Sequence, residues 1–396
     1  MKSYEKKIIS NRKIILWGAS MYGEIAYKVL TEIYDVPVFS IIDNRYRKVD
    51  WTDKTIIRSY ELEEICDADI LICAASSFKN VLEELQKYYA NNNEVYDICE
   101  LLKEYEIAYR MNKNNILNSY LYGDIDLEEI IERYKYYAGK GNGYEKKIYL
   151  PYCVLCITTR CTLKCKDCAA FITKNKDKKD YSLRYVRENF GRILDAIDGI
   201  TELELMGGEP FLCKEFNEIL SWCIQQKKIR AIKIVTNGTL LPSVETWSLL
   251  KNIKVKLVID DYGKYSVKLE RLIEKAKEEG VLCVRQNLQS WFQILPIEEK
   301  NFSDEKLDCI FEKCVFGTCI GMTNGRLYRC NVAGQMNLVG LLPDDESDYI
   351  QIKDREWSKG DLREEISNFL KLRHIKACNY CSLFKNVEIP VAEQLR

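Results

Sequence analysis

Short apolar runs that end in glycine or polar residues recur along the chain, separated by stretches whose apolar positions have helical spacing. The first, Lys13-Ile-Ile-Leu-Trp17, runs into Gly18-Ala-Ser20-Met-Tyr-Gly23, and the residues from Glu24 to Ile33 behind it read as a helix. Val36 to Ile42 predicts a second strand ending at Asp43. Ala68 to Ala74 predicts a third, Phe78 to Tyr89 a helix, and Glu94 to Ile98 a further strand. This alternation predicts a small doubly wound parallel sheet over residues 1–105. A tyrosine-rich, charged helical segment follows over 106–149, with Gly139-Lys-Gly-Asn-Gly143 as a flexible joint.

The same grammar continues in the middle of the chain. Leu203-Glu-Leu-Met-Gly207-Gly208-Glu209-Pro210 alternates as a strand and stops at two glycines, a turn where backbone approaches a ligand closely. Ile232-Lys-Ile-Val-Thr236-Asn237-Gly238 and Val255-Lys-Leu-Val-Ile-Asp260-Asp261 are two more strands with polar ends, and Val281 to Gln286 is a fourth, carrying Arg285. Polar groups at the carboxyl ends of parallel strands mark where α/β folds place their sites. Asn324-Gly325 predicts a tight hairpin between Cys319-Ile-Gly-Met-Thr323 and Arg326-Leu-Tyr-Arg-Cys330.

Composition narrows the class without choosing a chemistry. The 396 residues suffice for two or three domains, and 47% hydrophobic with 30% charged residues is an ordinary globular balance. A net charge near −1 gives no electrostatic argument for nucleic acid or for an anionic membrane. No signal-peptide pattern opens the sequence, and no apolar run reaches the 18 or so residues that a membrane helix needs. The 17 cysteines are scattered rather than packed into a small domain, which points to a reducing cytoplasm and metal chemistry rather than a disulfide framework.

Cys161, Cys165 and Cys168 stand in the run Cys161-Thr-Leu-Lys-Cys165-Lys-Asp-Cys168. Three thiolates in eight residues suit three corners of a [4Fe–4S] cube and leave the fourth iron open. A structural zinc knot is the alternative, although zinc sites usually pair cysteines or add histidine, and His374 is the only histidine. The triplet, followed in order by Gly207-Gly208-Glu209 and Thr236-Asn237-Gly238, resembles the radical S-adenosylmethionine (radical SAM) superfamily. That resemblance implies a partial (β/α)6 barrel over 150–305, with SAM on the open iron and an electron from the cluster generating a 5′-deoxyadenosyl radical. It also implies that Gly207, Gly208 and Glu209 meet the SAM amino group, and that Thr236, Asn237, Asp260 and Arg285 lie around the cofactor. Many members carry an aromatic residue just before the third cysteine; this chain has Asp167 there.

A second cysteine group, Cys314, Cys330, Cys378 and Cys381, resembles the twitch/SPASM extensions of that superfamily, and specifically those of 2-deoxy-scyllo-inosamine dehydrogenase-type enzymes, which oxidise a cyclitol alcohol. The resemblance implies a small β-hairpin and helix domain over 306–396 with an auxiliary [4Fe–4S] cluster, so that two clusters are expected. A four-cysteine zinc ribbon stays open, with Cys309 and Cys319 as substitute ligands. The N-terminal module resembles small nucleotide-binding modules attached to carbohydrate-modifying enzymes. The amides of its first turn suit a phosphate and Asp43 a ribose hydroxyl, with Gly18, Ser20 and Gly23 shaping the cradle. Ser20, in place of a middle glycine, limits the approach, and a scaffold or docking role is the alternative.

The combined expectation is an α/β enzyme that abstracts hydrogen from a carbohydrate or nucleotide-linked sugar, with oxidation or epimerisation as the outcome. A flavodoxin- or ferredoxin-type donor would supply electrons; no nucleic acid or membrane partner is expected. A peptide maturase and a non-catalytic Fe–S or zinc protein are the rivals.

Overall fold

The computed structural model describes residues 13–19, 21–33, 35–44, 48–49, 51–59, 68–74 and 95–98, positions 81, 85, 101 and 134, and residues 148–395 except 313, 315 and 318. The chain divides into two compact units, Met1–Lys146 and Lys147–Arg396.

In the first unit, β1 (Lys13–Trp17), β2 (Val38–Ile42), β3 (Ile56–Ile57), β4 (Ala68–Ile72) and β5 (Val95–Asp97) form one parallel sheet in the order β3-β2-β1-β4-β5. The central strands are apolar because both faces are covered: every residue of β4 and all but Lys13 of β1 are buried. Four of these strands are legible in the sequence; β3, two residues long, is too short to carry a pattern. The helix expected over 78–89 lies outside the described residues apart from Val81 and Leu85, as do Ser20 and the Gly139–Gly143 joint. From the expected helical segment 106–149, fully buried Tyr134 donates its hydroxyl to Ile72 O at 2.7 Å and meets Tyr22 edge-on at 5.1 Å.

The turn after β1 is closed by the chain itself. Gly18 adopts φ +120°, and a Cβ there would stand 2.7 Å from Ala74 N. A Cβ on Gly23, in α1 (Met21–Lys28), would stand 2.0 Å from Gly18 O. Asp43, buried at the end of β2, accepts a hydrogen bond from Ala19 N–H at 2.7 Å.

In the second unit an eight-stranded sheet runs β10-β9-β8-β7-β6-β12-β13-β14. Its parallel strands are β6 (Tyr149–Cys156), β7 (Gly199–Met206), β8 (Ile229–Thr236), β9 (Val255–Asp261), β10 (Cys283–Asn287) and β12 (Cys319–Thr323). Between them lie α2 (Leu183–Ala196), α3 (Phe216–Gln225), α4 (Val244–Leu250) and α5 (Leu269–Glu279). Leu203, Leu205, Ile232, Ile234, Leu257 and Ile259 point to these helices and form the core with Phe190, Ile193, Leu220 and Leu272. Alternate positions on the same strands, Glu204, Lys233 and Asp260, face the other way.

The six parallel strands of this sheet are not in simple sequence order. Five strands follow one another from β6 to β10, but the sixth parallel strand, β12, sits on the opposite edge of β6, with Cys319 beside Tyr152. The reason is visible in the residues: Arg285, Gln286 and Asn287 of β10 are exposed, as suits an edge strand, whereas β12 is buried throughout. After β10 the chain instead forms a short ribbon, β11 (Trp291–Phe292) against β15 (Glu388–Ile389). The hairpin of β12 and β13 (Arg326–Tyr328), expected in a separate small domain, therefore extends the core sheet. Its turn is as expected, with Asn324 at φ 48° and Gly325 at φ 77°, and β14 (Tyr349–Gln351) completes the edge. Among the described residues, no helix is long and apolar enough to cross a membrane.

Replacing Gly23 by alanine should drive the first turn apart and destabilise the N-terminal unit by about 1–3 kcal/mol. The readout is amide exchange: β1 and β4 should exchange faster while β6 to β9 do not change. Unaltered exchange in β1 would contradict the close approach of Gly23 to Gly18.

Candidate functional site

β6 delivers the chain to the cysteine loop, and a framework of short contacts fixes the delivery. Thr158 Oγ1 donates to Asp180 Oδ1 at 2.6 Å, and Arg160 Nη1 donates to Asp180 Oδ2 at 3.0 Å and Leu212 O at 3.1 Å. Beyond this brace, each sulfur of the triplet receives N–H donors. Cys161 Sγ accepts from Leu163 N–H at 3.4 Å and Asn237 Nδ2 at 3.5 Å, and Cys165 Sγ from Gln394 Nε2 at 3.1 Å. Backbone N–H groups of Ile172, Ala170 and Phe171 are directed at Cys168. Burial pushes the Cys161 thiol up to about 11, and Glu209, Cys168 and Cys165 add to the rise, so all three thiols lie within each other's field. A set of three close thiols, each offered N–H donors, fits three corners of a cube. Among the described residues no three His, Cys, Asp or Glu side chains gather closely enough for a single ion.

The two glycines at the end of β7 admit a close neighbour. A Cβ on Gly207 would lie 2.4 Å from Thr158 Cγ2, and one on Gly208 would lie 2.4 Å from Arg160 O and 2.5 Å from Cys161 Cβ. The close approach they permit is that of the cysteine loop itself. Glu209 follows, wholly buried, its amide bonded to Arg160 O at 2.8 Å. Its carboxylate accepts from Thr236 Oγ1 and Asn237 N–H at 3.0 Å and from Phe211 N–H at 3.2 Å. Burial outweighs these donors and pushes Glu209 up to about 7.

Asn237 joins this knot to the loop. Its Nδ2 donates to Thr162 Oγ1 at 3.1 Å as well as to Cys161, while its Oδ1 accepts from Thr239 N–H at 3.0 Å. Buried Ser266 donates to Asn237 O at 2.8 Å, close to Gly238 at φ +71°. Asp260, pushed by burial up to about 6, accepts from Tyr262 OH at 2.9 Å. Arg285 is turned aside: it binds Asp261 Oδ2 at 2.7 Å and Glu270 Oε1 at 3.2 Å on the surface. Thr236, Asn237 and Asp260 thus stand with Glu209 at the strand ends, and Arg285 stands apart.

The second cysteine group also converges. Cys314, Cys330, Cys378 and Cys381 lie in one another's field, and burial pushes Cys314 and Cys381 up to about 11 and Cys330 to about 12. Cys330, Cys378 and Cys381 border a small core of Ile294, Val332, Ala333, Met336 and Leu383. Cys330 is the N-cap residue of α7 (Asn331–Leu338). Cys309 is exposed on α6 (Asp304–Glu312); Cys319 is buried on β12. His374 Nδ1 lies 2.7 Å from Asp308 Oδ1, away from these thiols' bonding.

Between the two groups lies a polar constellation that sequence reading missed. On the face of the sheet away from the helices, Tyr152 donates to Glu204, and Lys233 Nζ lies 3.0 Å from Tyr152 OH and 3.1 Å from Glu204 Oε2. Burial, then Glu204, lifts the Tyr152 phenol well above its usual range; Lys233 is held up by Glu204 and Tyr152 against burial. Tyr262 lies in the field of Cys168 and Cys165 at one end of this band, and Cys319 in that of Cys330 and Glu204 at the other. The alternation of Glu204 with Leu203 and Leu205 was the available signal. In the N-terminal unit, Gly18, Gly23 and Asp43 come together at the first turn, but Asp43 already accepts from Ala19, and Ser20 lies outside the described residues.

Comparison with known proteins bears on this site directly. Residues 155–260 match the sequence family described as the Radical SAM superfamily, so this stretch is a radical SAM domain. The chain is 33% identical over 106 residues to the antilisterial bacteriocin subtilosin biosynthesis protein AlbA of Bacillus subtilis (strain 168), covering 26% of this chain and 22% of that protein. It is 33% identical over 95 residues to GTP 3′,8-cyclase of Stenotrophomonas maltophilia (strain K279a), covering 23% and 28%. The chain thus spans about a quarter of the length of these curated relatives. Among solved structures, BtrN in complex with AdoMet and 2-DOIA aligns over 63% of this chain and 98% of its own, at 16% identity and TM-score 0.36.

Glu209 yields a pH prediction. A carboxyl raised from 4.5 to about 7 on folding makes its ionisation unfavourable to the folded state. Its contribution is present below the unfolded value and is lost as pH rises through the folded one, a loss of about 3 kcal/mol. Denaturant titrations of SAM-free protein should show this decline relative to Glu209→Gln; parallel pH profiles would contradict the buried carboxyl.

Proposed function

We propose that the chain is a radical SAM enzyme whose Cys161, Cys165 and Cys168 hold a [4Fe–4S] cluster with an open iron. A cluster held there would supply the electron that splits SAM. The observation that carries this reading is the joint built by Glu209 and Asn237, which binds the ends of β7 and β8 to the cysteine loop. The chain's own contribution is placement: the glycine pair lets the loop sit against the strand ends, and N–H donors surround its sulfurs.

The proposed substrate lies against the polar face between the two cysteine groups. Tyr152, Glu204, Lys233 and Asp260 offer donors and acceptors there, which favours a hydroxyl-rich molecule, a carbohydrate or nucleotide-linked sugar, oxidised or epimerised at a carbinol carbon. Because an alkyl radical abstracts hydrogen unselectively, orientation by such groups is the protein's main task. Cys314, Cys330, Cys378 and Cys381 would hold the auxiliary cluster, and a flavodoxin- or ferredoxin-type protein would deliver electrons. A nucleotide handle at the first turn of the N-terminal unit remains part of this proposal, with Ala19–Asp43 and Gly23 shaping the turn. One observation favours a second reading, peptide modification: the likeness over 106 residues to a bacteriocin biosynthesis protein.

Anaerobically reconstituted protein should bind about eight irons, and replacement of Cys161, Cys165 and Cys168 together should leave about four. Reduced protein should release 5′-deoxyadenosine from SAM, and the triple variant should not. Full iron in the triple variant, or no deoxyadenosine under any reductant, would overturn the reading. Deuterium transfer into 5′-deoxyadenosine from labelled nucleotide sugars, or from labelled peptides, decides the substrate class.

A further inference from the structure

The segment that follows Cys381 returns across the cysteine loop. Lys166 N–H donates to Glu393 O at 2.7 Å and Leu395 N–H to Lys164 O at 2.8 Å, an antiparallel bridge that sets Cys165 opposite Gln394. Upstream, β15 is paired with β11, and Ala392 is wholly buried with φ 51°. The strap therefore holds the side chain of Gln394 against the loop from both directions.

That side chain is fixed at each of its ends. Its Oε1 accepts from Lys164 N–H at 2.7 Å, and its Nε2 donates to Cys165 Sγ at 3.1 Å and to Ala392 O at 2.8 Å. The opposite amide orientation would set NH2 against the Lys164 N–H and oxygen against both the sulfur and the Ala392 carbonyl. The network thus dictates which end faces the sulfur.

We propose that Gln394 is a positioning residue for the cluster, which sets its reduction potential through the N–H···S bond to Cys165. This rests on the proposed function, in which that loop holds the cluster. Ligand sulfurs share the negative charge that grows on reduction, so an N–H aimed at one stabilises the reduced cluster more than the oxidised and raises the potential. Cys161 takes a backbone donor from Leu163 and a side-chain donor from Asn237, within the same framework of strand ends. The side-chain donor to Cys165 comes from 229 residues away, on the strap.

The test is redox titration followed by electron paramagnetic resonance on reconstituted full-length protein. The signal to follow is the one lost when Cys161, Cys165 and Cys168 are replaced together; its absence from wild type would defeat the proposed function itself. Gln394→Ala and Gln394→Met, the latter keeping side-chain length, should each lower the reduction equilibrium about tenfold, which is about 59 mV for a one-electron couple. Glu393→Ala removes the 3.6 Å pair with Lys166 while leaving Gln394, and should keep the wild-type potential. A wild-type potential in both Gln394 variants overturns the proposal. An equal shift in Glu393→Ala overturns it as well, because the strap rather than the bond would then be responsible. Loss of iron in the Gln394 variants alone would do the same, since the residue would then be required for assembly.

Discussion

Everything at the candidate site depends on one close contact: the cysteine loop rests directly on the end of β7, where two residues have no side chain. With Gly207 and Gly208 the backbone of Thr158 to Cys161 can lie where Cβ atoms would otherwise stand. The buried carboxylate of Glu209 then ties the end of β7 to the end of β8, and Asn237 passes that tie to the Cys161 sulfur. Three separate strand ends become one rigid platform. A platform of this kind holds cluster-ligand thiolates at a fixed spacing.

Much of this platform was legible in the sequence, and the reason is local. Alternating apolar residues ending in Gly207-Gly208-Glu209, Thr236-Asn237-Gly238 and Asp260 mark strand ends because one face of each strand must meet helices and the chain must then turn. Asn324-Gly325 marks its hairpin because both residues take positive φ. What escaped is non-local. The sequence pattern does not show that β12 joins the free edge of β6 rather than following β10, since burial of a strand depends on which neighbour covers it. The Tyr152–Glu204–Lys233 set comes from three strands, and Gln394 meets Cys165 across most of the chain. The approach of the Thr158–Cys161 backbone to Gly207 and Gly208 is likewise a contact between distant segments that no local pattern shows.

The polar face between the cysteine groups gives the platform something to act upon. A charged lysine, a carboxylate and a phenol are costly to place together inside a sheet unless they satisfy one another, and here they do. Cys319 carries the band toward Cys330, and Tyr262 carries it toward Cys165 and Cys168. In the proposed function, a substrate held along that band would meet hydrogen abstraction at one end and electron removal at the other.

The central claim is that the triplet leaves one iron open for SAM. Electron–nuclear double resonance of the reduced protein, with SAM isotopically labelled at its amine and carboxylate, tests this most directly. Hyperfine coupling of both labelled groups to a cluster signal, absent when Cys161, Cys165 and Cys168 are replaced, is the expected result. A cluster signal carrying no coupling to either group, with SAM bound, would contradict it.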